Sequence, residues 1–208
     1  MNKLISLIAL LLCAACAENF SSYEAYLHRR NLEMPQKDSI QHCRGYGCQY
    51  IDTVKLTHEE WQSITHHFQP RAQTAKIERA QIAQAIGTME TIIGQKTGSH
   101  KDVKGTFIRT GTYQLDCVDE STNTTLYLAA LKDRNLIKLH EIQAPDVRLP
   151  IIHAGRWPHQ TAIILETKTQ QRYAVDSWFH DNGKPAEIIQ HDQWKKGWKS
   201  TKDPDDGG

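Results

Sequence analysis

One cysteine, one histidine and one aspartate stand in an order that suits thiol chemistry. Cys117 lies in "YQLDCVDESTNTT", His159 in "GRWPHQTAIILET" and Asp176 in "QRYAVDSWF". A nucleophilic thiol needs a base, most often imidazole, and the base needs a third group that fixes its tautomer. Acids crowd the cysteine: Asp116, Asp119 and Glu120 are its near neighbours. Negative charge beside a thiol opposes the thiolate and raises its pKa. The objection weakens if a helix begins there. With Asp116 as N-cap and Cys117 as first helical residue, Asp119 is the third. Both positions favour carboxylates, because unpaired N–H groups and the positive end of the helix dipole lie there. The same field stabilises a thiolate, and the same N–H groups can hold an oxyanion. A small buried cysteine with no chemistry is the competing reading.

The elements needed to position these residues can be read around them. "CVDESTNTTLYLAALKDRN" reads as a helix with Leu126, Leu128 and Leu131 in its apolar second half. Its first half is rich in Ser, Thr and Asn, which are poor helix formers. "TAIILET" and "QRYAVDSWF" are rich in β-branched and aromatic residues and read as strands joined by "KTQ". A hairpin with Thr167 and Lys168 at its turn sets His159 opposite Asp176, where cross-strand neighbours touch. "LIKLHEIQA" is a further strand, and Asn182-Gly183 marks a turn. Asn182 is an alternative orienting group for the imidazole. Side-chain N–H groups of Gln114 and Trp157 are candidate oxyanion donors or pocket groups, and Tyr113 and Trp178 are candidate pocket walls.

A cysteine at a helix start, a leucine-bearing helix, "LKDRNLIKL", a histidine opening a strand, and Tyr173-x-x-Asp176 on the next strand together resemble the transglutaminase-like branch of the papain-like cysteine enzymes. The resemblance covers roughly residues 105 to 180. It implies an α+β core with an antiparallel sheet and the nucleophile at a helix N-terminus. By position it makes Cys117 the nucleophile, His159 the base and Asp176 the orienting acid. The implied activity is acyl transfer or hydrolysis at an amide bond.

Upstream the chain reads mainly as helix. Residues 18 to about 50 look irregular apart from a short helix near Ser21–Arg30. Thr57 and Glu60 form a capping box before Trp61, Ile64 and Phe68. Thr74 caps a second helix whose apolar stripe runs Ile77, Ile82, Ile86, Met89 and Ile93, with Gly94 able to end it. "QKTGSHKDVKG" reads as a surface loop or boundary. The expected organisation is a signal peptide over 1–17, a mainly helical portion over 18–100, the catalytic core over 101–200 and a disordered tail over 201–208.

The N-terminus, "MNKLISLIALLLCAACAENF", has a secretory signal pattern. Two processing routes remain open: cleavage after Ala15-Cys16-Ala17, or lipid attachment at Cys16 in the manner of bacterial lipoproteins. Either route places the mature chain where disulfides persist. Of the five cysteines, Cys43 and Cys48 flank a glycine-containing turn in "HCRGYGCQ" and are expected to form a disulfide. Cys117 is then unpaired. Neither HExxH nor CxxC organises the eleven histidines, so no metal and no cofactor is expected. A net charge of +1 gives no field for nucleic acid or anionic membrane. The expected partner is a peptide or protein substrate of the cell envelope, with membrane contact only through a lipid on Cys16. A non-catalytic envelope protein that binds a peptide or partner on the same fold is the rival expectation.

Overall fold

The computed structural model describes residues 20–105, 111–149 and 158–200. The signal segment, Cys16, Trp157 and the tail over 201–208 lie outside the described residues. Helix α1 (Tyr23–Arg29) starts behind Ser22, whose hydroxyl accepts the Ala25 N–H at 3.2 Å. Strands β1 (Ser39–Arg44) and β2 (Tyr50–Lys55) then form an antiparallel hairpin where irregular chain was expected. The strand pattern is hidden because a polar residue of β1 points inward. His42 is buried between Tyr127 Oη at 2.9 Å and Ser99 Oγ at 3.0 Å. Gly45, Tyr46, Gly47 and Cys48 all take positive φ in the connection, and Cys43 and Cys48 are joined by the expected disulfide.

Helix α2 (His58–His66) carries the capping box read from Thr57 and Glu60. Helix α3 (Ala75–Thr97) starts at the Thr74 cap but does not stop at Gly94. It runs on to Gly98, which takes the left-handed conformation at φ 86. Gly94 has a packing reason instead: a Cβ there would meet Asn182 Oδ1 at 2.7 Å and the His100 main-chain N at 3.0 Å. Helix α4 (Cys117–Asp133) is the central element. Strands β3 (His140–Arg148), β4 (His159–Glu166), β5 (Arg172–Asp176) and β6 (Glu187–Gln190) follow as an antiparallel sheet in sequential order. Helix α5 (His191–Lys195) closes the described chain.

The expected α+β class holds at this level, with helices and two antiparallel sheets. The sheet buries both faces. Ala162 and Ile164 of β4 and Val175 of β5 join the core formed with Leu126 and Leu128 of α4 and Ile86 of α3. Ile163, Ala174 and Ile189 face the other way, onto Trp194 of α5. The first core includes Tyr26, Ile40 and Trp61, so the portions over 18–100 and 101–200 share one hydrophobic interior. Among the described residues no helix is long and apolar enough to cross a membrane.

Candidate active site

Cys117 is the first residue of α4, and the neighbouring acids build that helix start. Asp116 Oδ1 accepts the N–H groups of Val118 at 3.0 Å and Asp119 at 2.8 Å. Asp119 Oδ2 accepts from the Asp116 N–H at 3.3 Å, completing a reciprocal box. Asp119 also reaches out of the helix. Its carboxylate accepts from the main-chain N–H groups of Tyr46 at 2.7 Å and Cys48 at 2.6 Å. Asn123, one turn on, clamps Cys43 by donating to its carbonyl at 2.9 Å and accepting its N–H at 2.7 Å. The disulfide loop is therefore moored to the turn that carries the thiol.

The Ser/Thr/Asn run after Cys117 is explained by burial among polar partners. Thr122 Oγ1 meets Tyr26 Oη at 2.7 Å, and Ser121 Oγ accepts from Gln160 Nε2 at 2.7 Å. Ser121, Thr122, Asn123, Thr124 and Thr125 are all buried. A buried hydroxyl or amide must be hydrogen-bonded, and the surroundings of this helix supply the partners. Poor intrinsic propensity is offset by tertiary bonds.

His159 and Asp176 meet directly: His159 Nε2 lies 2.7 Å from Asp176 Oδ2. The register differs from the expected one. Ala162 pairs with Val175 and Leu165 with Arg172, so the turn is centred one residue later than Thr167-Lys168, and the same register extended past the last pair sets Thr161 opposite Asp176. His159 is the diagonal neighbour, two residues along. A shift of two residues keeps both side chains on one face, whereas a shift of one would have separated them. Both residues are almost fully buried. Aromatic rings enclose the imidazole, with centroids of Trp178, Phe179 and Trp194 at 4.8, 5.4 and 5.8 Å.

The Cys117 sulfur comes to β4 at the residue after the histidine, where the Gln160 main-chain N–H favours its ionised form. Burial pushes the thiol up to about 12, and the charges of Asp116 and Asp176 add to the rise. The thiol is therefore protonated at neutral pH. The remaining imidazole nitrogen, Nδ1, is buried and has no hydrogen-bond partner among the described residues, so no bond joins it to the sulfur in this resting arrangement.

The other expected donors sit elsewhere. Gln114 Nε2 donates to the Lys101 carbonyl at 2.8 Å and its Oε1 accepts the Val103 N–H at 3.2 Å. Trp157 lies outside the described residues. Asn182 packs its Oδ1 against Gly94 of α3, and Asp176 holds the histidine in its place.

Three groups were missed from the sequence. Gln160 contributes its main-chain N–H, which no sequence pattern reports. Arg148 pairs across the ladder with His159 and donates from Nη1 to the carbonyls of Trp194 and Trp198, both at 2.9 Å. Burial lowers its pKa, while the charge of Asp176 supports its cation. Trp194 donates its indole N–H to Asp176 Oδ2 at 2.8 Å. Below the site, Ser177 Oγ donates to Glu120 Oε2 at 2.8 Å, tying the residue after Asp176 to α4.

Among the described residues, Cys43, Cys48 and Asp119 bring potential metal-ligand atoms within 4.8 Å of one another. Both sulfurs are spent in the disulfide, which leaves no thiolate for a metal. A cavity of about 660 Å³ lies between α3 and β6 and is lined by Lys76, Arg79, Tyr173 and Ile188 but by none of the three candidate catalytic residues. Comparison with family models, curated proteins and solved structures finds no match to this chain.

Proposed function

We propose that this chain is a thiol-dependent enzyme that cleaves or transfers the acyl group of an amide. The observation that carries the reading is the buried His159–Asp176 pair at 2.7 Å, at strand ends beside the first residue of the Cys117 helix. Asp176 accepts from Nε2, which leaves Nδ1 as the base. A thiol held up to about 12 does not rest as a thiolate. Its proton passes to Nδ1 as the sulfur attacks the carbonyl carbon, and the imidazolium returns that proton to the leaving amine. Water or a second amine then releases the thioester. The N–H groups of Val118 and Asp119 are taken by Asp116 Oδ1, so in this reading the Cys117 N–H is the main-chain donor for the oxyanion.

The finer reading, a transglutaminase-like core acting on envelope peptides after export, belongs to the same proposal, as does a lipid on Cys16. Mass spectrometry of the mature N-terminus tests the anchor. A second reading, a binding protein with a silent thiol, is favoured by the protonated sulfur and the open Nδ1. An electrophilic amide-directed probe separates the two. The enzyme reading expects labelling of the native protein that is lost in Cys117→Ala and slowed at least tenfold in His159→Ala. Labelling only after unfolding would overturn it.

A further inference from the structure

The terminal helix α5 has five residues and little intrinsic stability, yet it is pinned at several points. Asp146 of β3 receives His191 Nε2 at 2.7 Å and Lys195 Nζ at 2.9 Å. Arg148, opposite His159, takes the Trp194 carbonyl. The guanidinium also lies 5.0 Å from the Trp194 ring centroid. These tethers fix one side chain, the fully buried Trp194, whose indole N–H reaches the same Asp176 oxygen that His159 uses.

We propose that Trp194 is a positioning residue for the candidate catalytic pair: its N–H takes one lone pair of Asp176 Oδ2 and leaves the other for the imidazole. An indole nitrogen only donates, so Asp176 must accept from it. The carboxylate is thereby fixed in plane. The shared oxygen then calls for a proton on His159 Nε2, and the free lone pair of the ring is assigned to Nδ1. Without the indole, Oδ2 is free to turn, and its undivided negative charge faces the imidazole and attracts a protonated ring more strongly.

The inference rests on the reading of His159 as base, and its test is read separately. Nitrogen NMR of the wild-type imidazole should show Nε2 protonated and Nδ1 bare once the ring is neutral. The Trp194 indole N–H resonance should move as that ring titrates. Trp194→Phe keeps a buried ring and removes the donor. It should mix the two tautomers and move the acid limb of the Cys117–iodoacetamide profile up by about one pH unit, a tenfold loss of rate below the limb, the size one hydrogen bond to a charged group supports. Trp198→Phe, from the same end of the chain, should change neither. A Trp194→Phe protein with wild-type tautomer and limb position overturns the proposal, whatever its stability. If that variant does not fold, an indole resonance in the wild-type protein that ignores the imidazole titration overturns it equally. Altered tautomers in Trp194→Phe with normal alkylation in His159→Ala would sink the thiol–imidazole reading and leave the positioning role standing.

Discussion

At the scale of single residues, the Cys117 thiol is held back by burial and by two nearby carboxylates, and one of those carboxylates can be neutralised without disturbing the helix. Asparagine caps as well as aspartate. Asp116→Asn should therefore keep α4 and raise the rate of Cys117 alkylation at neutral pH about two- to fivefold, the effect of removing one partly screened charge. A slower reaction would show that the acid serves the thiol rather than opposing it. Asp176→Asn should cost the proposed activity about a hundredfold or more, measured by turnover of any amide that the electrophilic probe identifies. Much of this site was legible. The acids beside Cys117 mark a helix start by capping chemistry alone, and the period of a strand keeps His159 and Asp176 on one face despite the slipped register. Trp194 was not legible, because a five-residue helix beyond two turns carries no pattern that points at Asp176.

At the scale of elements, α4 is a helix held from outside. Asn123 satisfies both main-chain groups of Cys43 in a buried place. Asn123→Ala should cost about 2–4 kcal/mol, since it strands two buried polar groups, as read from the urea midpoint. Reducing the Cys43–Cys48 bond should cost about 2 kcal/mol by loop entropy and should change the alkylation rate of Cys117, because Asp119 loses ordered donors. A Cys117 rate unaffected by reduction would separate the loop from the site. The β1–β2 hairpin escaped the sequence reading for a related reason. Its inward residues include a histidine whose partners, Tyr127 and Ser99, lie on distant elements, so alternation of apolar and polar residues never appears.

At the scale of the whole molecule, the shared interior contains carboxyl groups that prefer to be neutral. Burial pushes Glu90 and Asp102 up to about 7, and Glu120 is raised by burial and by the Glu90 charge. A carboxyl with a raised folded pKa binds its proton in the folded state while the unfolded chain has released it. Its contribution is complete below the ordinary value near 4.5 and is lost as pH climbs through about 7. Buried His42, lowered to about 4, works in the opposite sense, losing stability as pH falls from 6.5 towards 4. Two or three carboxyl groups outweigh one imidazole, so the urea midpoint should fall from about pH 5 to about pH 7. Glu90→Gln should flatten that slope; an unchanged slope would place the protons elsewhere. The class of fold was readable from helix caps and strand periods. The polar interior was not, because a glutamate on α3 gives no sign in sequence that it faces another on α4.

The mooring of Asp119 to the disulfide loop also sets an order of events. The turn that opens on Cys117 is completed by main-chain N–H groups from Tyr46 and Cys48, the latter 71 residues before Asp119. Those donors are covalently held only after the two sulfurs have joined. In a chain whose two sulfurs had not joined, the carboxylate of Asp119 would rely on donors in a looser loop. Under the proposed function, oxidation would come first and a finished nucleophile second, so that thiol chemistry would wait until the chain had met an oxidant.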